Sequence, residues 1–112
     1  MSKMSKEQQE KIVMELVVNG GDARSKAMEA IRLAAKGEFE AAQHALEESE
    51  DALNCAHEFQ TEMIQAQING EEIEVNLLMV HGQDHLMNAI TVKDLAAEMV
   101  SMYKKMKEME EK

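Results

Sequence analysis

Apolar residues recur at spacings of three and four along three long stretches of the chain, the period of helices buried on one side. The first stretch begins near Ser5 or Lys6. Val13, Leu16 and Val17 mark one stripe, and Ala23, Ala27, Ala30, Ile31 and Ala34 continue it in phase. Asn19-Gly20-Gly21 would ordinarily end a helix, with Asp22 capping the next. Because the phase holds across the glycines, the pattern favours one long helix with a weak point where backbones approach closely. Lys36-Gly37 is the first firm break.

The second stretch carries a seam at Phe39, Ala42, Leu46, Ser49, Leu53, Ala56, Gln60 and Met63, alternating steps of three and four. That alternation suits helices crossing at a shallow left-handed angle. Ser49 and Gln60 place polar groups on the seam. The helix fades around Ile68, and Asn69-Gly70 opens a short acidic connection. A third helix is expected from Val75 or Asn76 to about Met109. Its seam is Leu78, Gly82, His85, Ala89, Val92, Ala96, Met99, Tyr103 and Met106. These elements define an all-α fold, a three-helix up-and-down bundle in a single domain over residues 1–112, with residues 1–5 and 108–112 expected to fray.

One seam per helix does not use up the apolar surface. Leu77-Leu78-Met79-Val80 is apolar on every side of its turn, and Leu77, Val80, Asp84, Met87 and Thr91 share a second stripe beside the first. A monomeric three-helix bundle has no use for that stripe, so self-association is expected.

Composition narrows the function. The formal charge is −10, from 12 Lys and Arg against 22 Asp and Glu. Such a surface repels phosphate backbones and anionic lipid, which argues against nucleic acid or membrane surfaces as partners. No apolar stretch approaches the roughly 20 residues of a membrane span. The polar start MSKMSKEQQEK does not read as a secretory signal, and the single Cys55 forms no internal disulfide, so a cytoplasmic protein is expected. With two Phe and one Tyr, the core is expected to draw on Leu, Ile, Val, Ala and the eleven Met.

Candidate chemistry concentrates in VHGQDHLMNA, from Val80 to Ala89. On a helix His81 lies about 40° from His85 and about 60° from Asp84, so the three share one sector. Asp84 stands on the second apolar stripe, where a lone carboxylate is costly once buried unless paired, protonated or bound to a cation. Three readings fit. The histidines and Asp84 are structural; or His81, Asp84 and His85 hold a metal ion; or a neutral imidazole attacks a phosphoryl group while its neighbour orients it. Spacing alone does not choose among them. Elsewhere the structural reading prevails. His57 is a structural residue or a support beside Gln60, His44 and the Glu47–Asp51 acidic run are solvated, and Cys55 is a small packing residue rather than a nucleophile.

VHGQDHLM, with LLM before it and NA and DLAAEM after it, resembles the signature of the lactose/cellobiose-type enzyme IIA components of the bacterial phosphoenolpyruvate-dependent sugar phosphotransferase system. IVMELVVNGGDARSKAMEAI, KGEFEAA and AHEFQTEMIQ resemble the family's helices in order, from about Ile12 to Tyr103. Gly82 departs from the pattern, where Ala is usual. The resemblance implies that His81 takes a phosphoryl group from the phosphocarrier protein HPr and passes it to a cysteine of a IIB protein. The IIB protein then phosphorylates a disaccharide such as lactose or cellobiose entering through the IIC permease. It further implies a homotrimer in which Asp84 meets its copies on the three-fold axis and binds a divalent metal, typically Mg2+. His85, and with it Gln83, would support the active site.

Overall fold

The computed structural model describes residues 4–111 and contains three helices: α1, Lys6–Ala35; α2, Phe39–Ile68; and α3, Leu77–Glu110. The expectations for residues 1–3 and 112 lie outside the described residues. The bundle is an elongated rod of 65 × 20 × 18 Å.

Each boundary has a local cause. Ser5 caps α1 with a reciprocal capping box, its hydroxyl accepting from the Gln8 amide while its own amide donates to Gln8 Oε1. Asn76 caps α3 by accepting from the Met79 amide at 2.9 Å. Gly37 and Gly70 end α1 and α2 in the left-handed conformation, with φ of 83° and 86°. At each, the next residue's amide reaches back, Glu38 to the Leu33 carbonyl at 2.9 Å and Glu71 to the Ala66 carbonyl at 3.0 Å. Gln9 ties the acidic connection to α1, donating to the Glu72 carbonyl and accepting from the Glu74 amide.

Helix α1 runs unbroken through Gly20-Gly21 and is the central helix. It packs along both neighbours, whereas α2 and α3 touch each other far less. Its inward face is small: Ala23, Ala27 and Ala30 are fully buried and Ala34 nearly so. Two apolar clusters fill the rod. One gathers Val13, Leu16, Ala23, Leu53, Met63, Met79 and Leu86; the other gathers Ala27, Ala30 and Ala34 of α1 with Ala42, Leu46, Ala96 and Val100.

Two expectations need correction. Among the described residues, Met63 and Met79 are the buried methionines, while Met14, Met87, Met99, Met102, Met106 and Met109 lie exposed. The core is built largely on alanine, because small side chains let three long helices approach closely. The seam of α3 is also rotated. Gly82, Ala89 and Ala96 are buried as expected, but their flanking partners are Met79, Leu86 and Val100, while Leu78, Met99 and Met106 are exposed. The seam of α2 matches closely, and its polar groups are satisfied. Ser49 is fully buried and donates to the Ala23 carbonyl at 2.7 Å.

Candidate functional site

The site lies where α1 and α3, running parallel, come closest. A Cβ placed on Gly20 would lie 3.0 Å from the His85 carbonyl carbon and 3.1 Å from its Cβ. One placed on Gly21 would sit 3.8 Å from His85 Nδ1. The glycine pair therefore lets α1 lie directly against His85 and lines one side of its ring. One turn earlier Gly82 faces Val13 and Leu16, where a Cβ would fit tightly, 3.3 Å from the Val13 carbonyl oxygen and 3.4 Å from Leu16 Cβ.

His85 is half-buried and His81, one turn before it, is exposed. Their Nε2 atoms lie 3.1 Å apart and their rings meet edge to face, with centroids 4.5 Å apart and an interplanar angle of 76°. One ring must donate and the other accept. If His85 donates, the Nε2 lone pair of His81 is held in a fixed direction, and His81 carries its own proton on Nδ1.

Both rings line an open groove of about 530 Å³ together with Arg24, Asp84, Asn88, Thr91 and Val92. Asp84 is exposed, on a strip of α3 that also exposes Val80 and Met87. The structure thus brings His81, Asp84 and His85 to one place. Gln83 points elsewhere: its Oε1 accepts from Gln60 Nε2 of α2 at 2.7 Å, and it does not line the groove. Exposed His57 is also absent from that lining, while His44 is exposed and pairs with Glu48 at 3.0 Å. Cys55 is a half-buried free thiol. Arg24 was not singled out by spacing, because it sits on a different helix from the histidines and follows no motif of its own.

Among the described residues, no group of three His, Cys, Asp or Glu is gathered to hold a metal ion. Within one chain the two imidazole Nε2 atoms lie within hydrogen-bond distance of each other. Asp84 by itself offers one carboxylate.

Residues 11–104 match the family described as PTS system, Lactose/Cellobiose specific IIA subunit. The chain belongs to that family. It is 49% identical over 102 residues to the lichenan-specific phosphotransferase enzyme IIA component of Bacillus subtilis, a match covering 91% of this chain and 93% of that protein. The crystal structure of the cellobiose-specific enzyme IIA from Bacillus anthracis shares its fold with a TM-score of 0.87 at 48% identity, covering 93% of this chain and 94% of that one. The IIA(chitobiose) of Escherichia coli, solved in complex with HPr, gives a TM-score of 0.77 at 37% identity, covering 88% and 96%.

As a lactose/cellobiose-type IIA subunit, the chain is a phosphotransferase-system component with an all-helical fold. Among the described residues, no helix is long and apolar enough to cross a membrane.

Proposed function

We propose that the chain is a cytoplasmic phosphocarrier that accepts a phosphoryl group on His81 from phospho-HPr and passes it to the cysteine of a IIB protein. The sugar that follows through the IIC permease is a disaccharide such as cellobiose or lactose. The observation that carries this reading is the exposed His81 imidazole with Nε2 aligned on His85 Nε2 at 3.1 Å. A related IIA solved with HPr supports the choice of donor.

In the transfer, the His81 Nε2 lone pair forms the new bond to phosphorus as the bond between phosphorus and the donor breaks. The donor keeps that electron pair, and the three terminal oxygens stay on phosphorus. With His85 as the donor of the pair, its Nε2–H turns to a phosphoryl oxygen. Phosphoryl transfer depends chiefly on positioning and charge stabilisation, which these two rings supply without a reaction pocket. The groove is open, as a site serving two protein partners in turn requires.

The working assembly in this proposal is a homotrimer. On α3, Leu77, Val80, Met87, Leu95, Met102 and Met106 are exposed, with relative exposures between 47% and 84%. A largely apolar strip of this kind marks an interaction surface. Asp84 lies within it, so three copies around one axis would bring three carboxylates together. A divalent ion such as Mg2+ there would offset their mutual repulsion, and oxygen donors suit a hard cation. In this reading the ion joins subunits, and His81 carries the phosphoryl group. The test is reconstitution with phosphoenolpyruvate, enzyme I, HPr and a cognate IIB, following acid-labile phosphate onto this chain and from it to IIB.

A further inference from the structure

The groove beside His81 contains a cation that the two-histidine scheme leaves idle. Arg24 lines it with His81, Asp84, His85 and Asn88. The guanidinium enters none of the ion pairs found among the described residues, which join Lys26 to Glu29 and Glu48, His44 to Glu48, and Lys93 to Glu50. In a chain of net charge −10, a guanidinium without a carboxylate partner beside the phosphoryl acceptor calls for an account.

The geometry supplies one. Gly20 abuts His85, and α1 runs parallel to α3, so Arg24 stands four residues, about 6 Å, beyond the level of His85. Helical side chains lean toward the N-terminus of their own helix, which tilts Arg24 back toward the histidine pair. From the other side, His81 Nε2 points toward His85 Nε2, one turn nearer to Arg24. A phosphoryl group carried on that nitrogen therefore enters the part of the groove toward which Arg24 leans. It brings about two negative charges into a lining whose other ionised group, Asp84, is also negative.

We propose that Arg24 is a phosphoryl-binding residue of this site, its guanidinium engaging the oxygens of the phosphoryl group on His81. The proposal rests on the phosphocarrier reading and deepens it. Arginine suits the task because its planar fork can donate two parallel hydrogen bonds to phosphoryl oxygens and stays charged at all working pH. Arg24 forms and breaks no covalent bond. It offsets the charge of Asp84 and lowers the free energy of the phosphorylated state relative to the free one.

The test compares wild type with Arg24→Gln and Arg24→Lys, each checked for helix content, thermal unfolding and sedimentation. Transfer from phospho-HPr is timed, and the ratio of phosphorylated carrier to phospho-HPr at equilibrium is measured. Phosphorus NMR follows the pH at which the phosphoryl group on His81 gains a proton. Arg24→Gln should fold and sediment as wild type and still be modified on His81. Its equilibrium should shift toward phospho-HPr by about 10-fold, the effect of one charge-assisted hydrogen bond. Its phosphoryl protonation should move to higher pH, a change that a purely structural role would not produce, and Arg24→Lys should recover part of both effects. An unchanged equilibrium and unchanged phosphoryl titration in Arg24→Gln would overturn the proposal. Absence of any adduct on the wild type would instead overturn the phosphocarrier reading, and the Arg24 proposal with it.

Discussion

Gly20 of α1 lies so close to His85 of α3 that a single added carbon would sit 3.0 Å from the His85 carbonyl carbon. The obstacle is backbone, which cannot swing aside as a flexible side chain does. This contact fixes the distance between the helices at the level of the histidine pair, and so links helix packing to the site.

Gly20→Val should therefore separate α1 from α3 and lower stability by about 2 kcal/mol, as overpacking a tight contact does. Gly82→Ala is the contrasting case. Its Cβ meets neighbours at 3.3–3.4 Å, and the gain in helix propensity of about 1 kcal/mol offsets the squeeze. Urea unfolding of both variants checks the pair; comparable losses would count against the close-approach account.

Ser49 donates from a fully buried position to the Ala23 carbonyl. Ser49→Ala should cost about 1 kcal/mol, the net worth of one neutral hydrogen bond, without changing phosphoryl transfer. Thermal unfolding together with a transfer assay separates the two effects.

In the proposed scheme His85 orients the ring of His81 and does not itself bear the phosphoryl group. His85→Ala should retain an adduct on His81 but slow its formation by about 10-fold, the kinetic equivalent of one hydrogen bond to a charged group. Stopped-flow transfer from phospho-HPr gives the rate. An adduct that migrates to His85 when His81 is replaced would reverse the assignment.

The exposed strip of α3 carries the trimer proposal. Met87→Lys should shift sedimentation toward the monomer. Asp84→Leu should keep the assembly while removing any stabilisation by magnesium, seen as a thermal midpoint no longer sensitive to chelator. A wild type that sediments as a monomer at all concentrations would contradict the proposed assembly.

Much of this architecture was legible in the sequence. Ser5, Lys36-Gly37, Asn69-Gly70 and Asn76 carry their cap and turn chemistry locally, so the helix boundaries could be read directly. The unbroken phase across Gly20-Gly21 likewise indicated one continuous α1. The orientation of α3 was harder. Leu77 to Val80 are apolar all round, so periodicity left its rotation open, and Met79 and Leu86 are the residues that join the core cluster with Val13, Leu16, Leu53 and Met63. His81, Asp84 and His85 share one helix, and their spacing brought them together on paper. Arg24 comes from α1 and Gln83 is tied to Gln60 of α2; both placements depend on contacts between helices, which spacing along one helix does not encode.

The most direct measurement is the intact mass, at neutral to basic pH, of wild type and His81→Ala after incubation with phosphoenolpyruvate, enzyme I and HPr. The account predicts one acid-labile phosphoryl adduct per wild-type chain and none on the variant. A folded wild type that gains no adduct from active upstream components, or a His81→Ala protein that gains one, would contradict it.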